Sequence, residues 1–267
     1  RRSPLHIFKL LISIKKLNVD IIHTHGSKTT SIANIIVKFL RIKHVSTMHG
    51  IKKNTAVYKK SSKTIVVSNI ANETINNQGI VIKNWWSPDL PEEIDDAKEY
   101  ALAIGRLEKV KGFDLLIKSW VGIESKLVIV GSGDEYKNLK GLISDNKLQE
   151  KISIVADLPF KELIKFYSKA SILIVSSRNE GGPRVALEAL YLKIPVISTN
   201  VGHMAEILPQ ELLAKPNDLE SLRTLIHSYV GNNNINQDAI FRYVNEEYSL
   251  TKQSNKVIDI YKELLVS

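Results

Sequence analysis

Arg178-Asn179-Glu180-Gly181-Gly182-Pro183-Arg184-Val185-Ala186-Leu187-Glu188-Ala189 follows directly on the apolar run Ile172 to Val175. A short β-branched run, two glycines and a proline, and then helix formers predict a strand, a sharp turn and a helix from Arg184 to Tyr191. Pro183 suits the first turn of that helix, where the amide it lacks would have no intrahelical partner. The amides that such a helix cannot satisfy itself, here those of Gly182, Arg184 and Val185, favour an anion beyond the strand end.

The same alternation runs outward in both directions. Strands are expected at Ala101 to Ile104, Lys126 to Val130, Ile152 to Val155 and Pro195 to Ser198. Helices are expected at Gly112 to Trp120, Asp134 to Asp145, Lys161 to Lys169 and Asp218 to Val230. This is the pattern of βα units in a doubly wound parallel sheet, which holds ligands outside the carboxyl ends of its strands. Toward the amino end the pattern recurs, with helices at Leu5 to Leu17, Ser27 to Leu40 and Asn69 to Asn77. Strands are expected there at Val19 to His23, Lys43 to Met48 and Thr64 to Val67. The fold class is therefore α/β with two Rossmann-like domains. The first spans 1–85, the prolines and acids of 86–99 form a linker, and the second spans 100–245. Gly231 to Asn234 reads as a loop, and a terminal helix over 246–267 is expected to pack back toward the first domain.

A second anion-binding turn follows the first strand of the second domain, in Gly105-Arg106-Leu107-Glu108-Lys109-Val110-Lys111-Gly112-Phe113-Asp114. Arg106 offers a planar fork that matches phosphate oxygens, and Lys111 a point charge. Glu180 before the glycine turn and Glu188 one helical turn inside it can accept hydrogen bonds from hydroxyls flanking a phosphate, such as those of a ribose and a sugar. Taken singly, these carboxylates read as solvated charges and the Lys-Val-Lys-Gly as a basic surface turn. Their combination makes that reading the weaker one.

The 267 residues are 43% hydrophobic and 24% charged, which fits a folded protein and not a disordered or fibrous one. With no cysteine there is no disulfide framework and no thiolate chemistry, so a cytoplasmic location is expected. Apolar runs such as Ile32 to Leu40 fall short of the roughly 20 residues a spanning helix needs. The net charge of +9 is uneven: fourteen Lys or Arg and one acid, Asp20, lie at or before Lys63, giving +13 there and −4 over the remainder. The basic part calls for an anionic partner. No stacking platform or recognition motif points to nucleic acid. Ile7, Leu10, Leu11 and Ile14 with Lys9, Lys15 and Lys16, and Ile32, Ile35 and Ile36 with Lys38 and Arg41, have an interfacial composition that suits an anionic membrane surface. Packing of those apolar residues on the first-domain sheet, with the lysines merely solvated, is the competing reading.

Gly105-Arg106 with Lys111-Gly112, the pair Glu180 and Glu188, Gly131-Ser132-Gly133 after a strand, and Pro195 to Gly202 together resemble the family 4 retaining glycosyltransferases of GT-B fold, closely from Ala101 to about Leu208. The resemblance implies that Arg106 and Lys111 hold a donor diphosphate, Glu188 the ribose and Glu180 the hydroxyls of the transferred sugar. It places the base against the backbone near Ala156, Asp157 and Leu158. It implies no metal and no cofactor beyond the donor, a UDP-sugar ahead of a GDP-sugar. His49, in Ser46-Thr47-Met48-His49-Gly50, resembles the family's strand-end histidine facing the cleft, and His25 is a second candidate. His23, His25 and His49 near two strand ends raise a metal site as an alternative, but His23 and His25 lie on alternate positions of a strand whose one neighbouring acid is Asp20, and a strand-capping role suits His23 better.

The family begins with a strand and a glycine-rich loop that this sequence lacks, and its segment between Gly50 and Ser61 is longer, so the first domain is expected to be incomplete and the chain a fragment. The implied activity is transfer of a hexose, with retention, to a glycan or lipid-linked acceptor in surface polysaccharide or glycolipid synthesis, in the cytoplasm or at the inner face of the membrane. A nucleotide-sugar epimerase and a non-catalytic nucleotide-sugar-binding subunit are the alternatives. Glu180 is not expected to be a nucleophile, since a retaining hydrolase needs two carboxylates about 5 Å apart across the bond.

Overall fold

A computed structural model describes residues 3–86, 89–91, 97–231 and 235–266. Arg1-Arg2, the Ser87-Pro88 and Glu92 to Asp96 parts of the expected linker, Asn232 to Asn234 of the expected loop, and Ser267 of the expected terminal helix lie outside the described residues. The chain divides into two compact units, residues 1–84 with 251–267, and residues 85–250.

The first unit runs α1 (Pro4–Leu17), β1 (Ile21–His25), α2 (Ser27–Leu40), β2 (Lys43–Met48), β3 (Lys63–Val66), α3 (Asn69–Glu73) and β4 (Ile80–Val81). Its four strands are parallel in the order β1-β2-β3-β4. The inner strand β2 is buried from His44 to Met48, whereas the edge strand β1 is largely half-buried, as position in a parallel sheet dictates. β1 starts two residues later than the sequence suggested. Asn18 turns left-handed at φ 47° to end α1, and Val19 and Asp20 are used in the connection. Likewise α3 stops at Glu73, before Asn76 and Asn77 turn left-handed at φ 57° and 56°.

The second unit runs β5 (Tyr100–Ile104), α4 (Phe113–Ser119), β6 (Leu127–Val130), α5 (Tyr136–Asp145), β7 (Ile152–Val155), α6 (Phe160–Ser168), β8 (Ala170–Val175), α7 (Arg184–Tyr191) and β9 (Val196–Thr199). It closes with α8 (Met204–Ile207), β10 (Leu213–Ala214), α9 (Leu219–Tyr229) and α10 (Asp238–Glu247). All strand pairs are parallel in the order β10-β9-β8-β5-β6-β7. Strands after β5 build to one side and strands after β8 to the other, so the order reverses between β5 and β8. That switch point is where doubly wound sheets bind ligands.

Leu102, Ile129, Leu173 and Ile197 form the sheet's buried layer, with Leu116, Trp120 and Leu187 packed from the helices. Each such side chain contributes about 1.5–3 kcal/mol of burial. The last helix, α11 (Leu250–Val266), belongs from Thr251 onward to the first unit, where Ile260 and Leu264 close over Val45, Ile65 and Ile82. Among the described residues no helix is long and apolar enough to cross a membrane.

Candidate active site

The two turns singled out in the sequence leave the carboxyl ends of β5 and β8, on either side of the switch point. They touch through their backbones. Gly112 sits at φ 68°, and a Cβ there would lie 2.1 Å from the Ser176 carbonyl oxygen, so only glycine lets α4 begin this close to the end of β8. The Arg178 amide donates to the Val110 carbonyl at 2.7 Å, and Ser176 Oγ to the Lys111 carbonyl at 2.9 Å.

Lys111 and Glu180 form an ion pair across this junction, each side chain about one-fifth exposed. Ser177 Oγ donates to Glu180 Oε1 at 3.0 Å. Thr199 Oγ1, from β9, donates to the Ser177 carbonyl at 2.6 Å and steadies the turn from behind. Gly202, at φ 56°, abuts the Gly181-Gly182 backbone, where a Cβ would come within 2.7 Å of Gly181. α7 begins at Arg184, as the sequence reading had it, and Pro183 is its cap residue and not part of its first turn. It supplies no side-chain cap, so the amides opening α7 have no side-chain acceptor of the usual kind.

Glu188 is 6% exposed. Tyr167, fully buried on α6, donates its hydroxyl to Glu188 Oε2 at 2.9 Å. Arg184 reaches only within 3.9 Å of Oε1. Burial raises the Glu188 carboxyl above the usual carboxylate range, and the Tyr167 hydroxyl and Arg184 oppose that shift. Burial, with Glu188 alongside, likewise pushes the Tyr167 hydroxyl well above its ordinary value.

In the first unit, His25 ends β1 and His49 follows the end of β2. Their rings stack, and Nδ1 of His25 shares a hydrogen bond of 2.9 Å with Nε2 of His49. Burial first, then His25 and Lys52, hold His49 below the ordinary histidine range. His44 is an internal residue, bonded to Thr24 Oγ1 at 2.9 Å and Asn34 Oδ1 at 3.0 Å. Among the described residues, no group of three or more His, Asp or Glu side chains is arranged to hold a metal ion.

Residues 90–243 match the family described as glycosyl transferases group 1. The chain belongs to that family. An uncharacterized glycosyltransferase of Methanocaldococcus jannaschii is 30% identical over 239 residues, 82% of this chain and 68% of that protein. The O-antigen biosynthesis glycosyltransferase WclY of Escherichia coli is 29% identical over 176 residues, 64% of this chain and 48% of its own length. Among solved structures, Anabaena HepE in complex with UDP-glucose superposes with a TM-score of 0.84 at 15% identity, covering 96% of this chain and 82% of that one. The likeness is one of GT-B fold.

The sequence-selected residues of this group 1 glycosyltransferase are brought together unevenly. Lys111, Glu180 and the start of α7 share one junction, with Ser177 bonded to Glu180 beside them. Arg106 is directed to solvent, 73% exposed and paired with Glu108. The backbone of Gly105 is tied into the sheet through its amide, which donates to the Val130 carbonyl at 3.0 Å. At the end of β7 the Asp157 amide donates to Ser132 Oγ at 3.0 Å, and Leu158 is half-buried beside it. Tyr167, Ser177 and the pair Arg178 and Asp114 were not anticipated. A tyrosine on the apolar side of α6 and an arginine opening the glycine turn were the available signals.

Proposed function

We propose that this glycosyltransferase moves a hexose from a nucleotide diphosphate sugar, a UDP-sugar ahead of a GDP-sugar, with retention of configuration, as its resemblance to family 4 implies. The observation that carries the reading is the meeting of Lys111, Glu180 and the opening of α7 at the switch point of the second sheet. Departure of a diphosphate builds negative charge on oxygen. Lys111, the first-turn amides of Arg184 and Val185, and Arg106 once turned from Glu108 are the groups that would offset it. Glu180 exchanges its contact with Lys111 for hydroxyls of the transferred sugar, and Glu188 uses Oε1 for the ribose while Tyr167 holds Oε2. Asp157 and Leu158 border the base. His49 is assigned to the acceptor-side unit's share of the chemistry. HepE, a structural neighbour, was solved with UDP-glucose, which supports a nucleotide-sugar donor, and WclY is named for O-antigen biosynthesis, which supports a glycan or lipid-linked acceptor in surface polysaccharide or glycolipid synthesis.

Calorimetric titration of the chain with UDP, GDP and their hexose conjugates tests this. Binding of a nucleoside diphosphate that Lys111→Met abolishes is expected. Absence of binding by every member of the panel would reject the assignment.

An anionic membrane surface is proposed as a further partner. Helix α1 has no buried residue, and Leu5, Phe8 and Leu17 are 60%, 59% and 71% exposed among Lys9, Lys15 and Lys16. Phe39 at the end of α2 is 72% exposed beside Lys38 and Arg41, while Ile36 is in the core.

A further inference from the structure

Three histidines form a column in the first unit. His23 stacks on His25 with ring centroids 4.5 Å apart and planes inclined by 25°, and His25 stacks on His49 at 5.1 Å and 22°. The second contact is also polar, through the 2.9 Å bond between Nδ1 of His25 and Nε2 of His49. At the other end His23 is held at both nitrogens, Nδ1 by the Tyr261 hydroxyl and Nε2 by Thr47 Oγ1 at 2.7 Å. The ring of Tyr261, on α11, meets His23 edge-on at 5.7 Å.

A hydrogen bond between two imidazole nitrogens requires that one carry the proton and the other offer its lone pair. The tautomers of His25 and His49 are therefore set together, and with them the role of His49 Nδ1, the nitrogen outside the pair. Two imidazolium rings cannot keep this bond, because both facing nitrogens would be donors. The other groups that act on the column are His44 on β2, Lys52 in the loop after it and Tyr261 on α11. None supplies a carboxylate, so nothing among them compensates a second positive charge.

We propose that His25 is a positioning residue for His49, fixing its ring plane and coupling its tautomer to that of His25, with His23 as the anchor of the column. The geometry stands within the first unit; its consequence for transfer rests on the assignment of His49 made above. A chemically active histidine presents a defined nitrogen in a defined protonation state, and that state is set by whatever its other nitrogen bonds.

Ring ¹⁵N NMR of the full chain, labelled at histidine, reads the arrangement without donor or acceptor. Above the titration midpoints the two rings are expected in complementary tautomers, with one proton shared between Nδ1 of His25 and Nε2 of His49. His25→Phe keeps the stack but removes the bond; the tautomer ratio of His49 should then shift and its midpoint should rise. A His49 spectrum identical to wild type in His25→Phe overturns the proposal, and should that variant not fold, His25→Ala is judged by the same criterion. If the spectra change as expected while His49→Ala leaves transfer unimpaired, the positioning role stands and the catalytic assignment of His49 falls.

Discussion

The guanidinium of Arg178 forks onto the carboxylate of Asp114, with Nη1 to Oδ1 and Nη2 to Oδ2 both at 2.7 Å. Arg178 comes from the turn after β8 and Asp114 from the start of α4, so one planar ion pair spans the two strands between which the sheet order reverses. Two further donors of Arg178 go to the Lys109 carbonyl and Asn217 Oδ1, each at 2.6 Å. Burial alone would raise the Asp114 carboxyl, but the Arg178 hydrogen bonds and charge hold it below the usual range. Arg178→Ala is expected to lower the free energy of unfolding by about 1.5–3 kcal/mol, the contribution of a charged hydrogen bond. Urea denaturation checks this; an unmoved midpoint would show that the fork adds nothing to stability.

Glu188→Ala and Arg106→Ala are each expected to weaken nucleoside diphosphate binding by about 1.5–3 kcal/mol. Tyr167→Phe probes the same site more finely, since it deprives Glu188 Oε2 of its donor without removing the carboxylate, and a smaller loss in the same direction is expected. Calorimetry that finds both alanine variants unchanged would remove Glu188 and Arg106 from the site.

Glu180→Gln is expected to retain nucleotide binding and lose most transfer, because the proposed contact of Glu180 is with the sugar. Releasing Lys111 from its ion pair leaves that cation free for phosphate, so affinity for the bare diphosphate should not fall. Full transfer by the variant would refute the role given to Glu180.

The helices and strands of the second unit were legible because each βα repeat carries its own punctuation, an apolar run followed by glycine or proline. The short α8 and β10 were not, since four residues and two residues carry no period of their own. In the site, Lys111, Glu180 and Glu188 could be picked out by type and spacing. Their partners could not. Tyr167 lies 21 residues before Glu188 and Asp114 lies 64 before Arg178, and only the sheet order brings those pairs together. The shift of β1 by two residues had a local cause, a left-handed Asn18, that apolar patterning does not reveal.

Acid stability should carry the mark of His23, whose pKa is lowered to about 4 by burial first and then by His25, His44 and His49. Between the unfolded value of 6.5 and about 4, the unfolded chain binds a proton that the folded chain refuses, so stability rises with pH in that window and is lost as pH falls through it. His23→Gln should flatten this part of the profile. Urea midpoints measured at steps from neutral pH down to the folded value test it, and parallel profiles for the two proteins would contradict the expectation.

Co-sedimentation with liposomes separates the membrane-surface reading of α1 and α2 from simple solvation. Each cation beside an anionic bilayer adds about 1 kcal/mol, so Lys9, Lys15 and Lys16 together with Phe8 should give binding to anionic vesicles that high salt reverses. Phe8→Ser should weaken it. Binding indifferent to lipid charge and salt, or none, would defeat this reading.

The contribution of α11 to the first unit has a consequence for the order in which the protein can assemble. Val45, Ile65 and Ile82 find two of their apolar neighbours, Ile260 and Leu264, only at the far end of the chain, and the ion pair between Lys63 and Glu263 closes a separation of 200 residues. During synthesis the second unit is complete in sequence before the first is, although the first was begun earlier. A nascent first sheet therefore lacks these apolar neighbours until α11 has been made, and α11 acts as its latch. A stop before Ile260 would be felt some two hundred positions upstream, around β2 and β3, in a region that it leaves untouched in sequence.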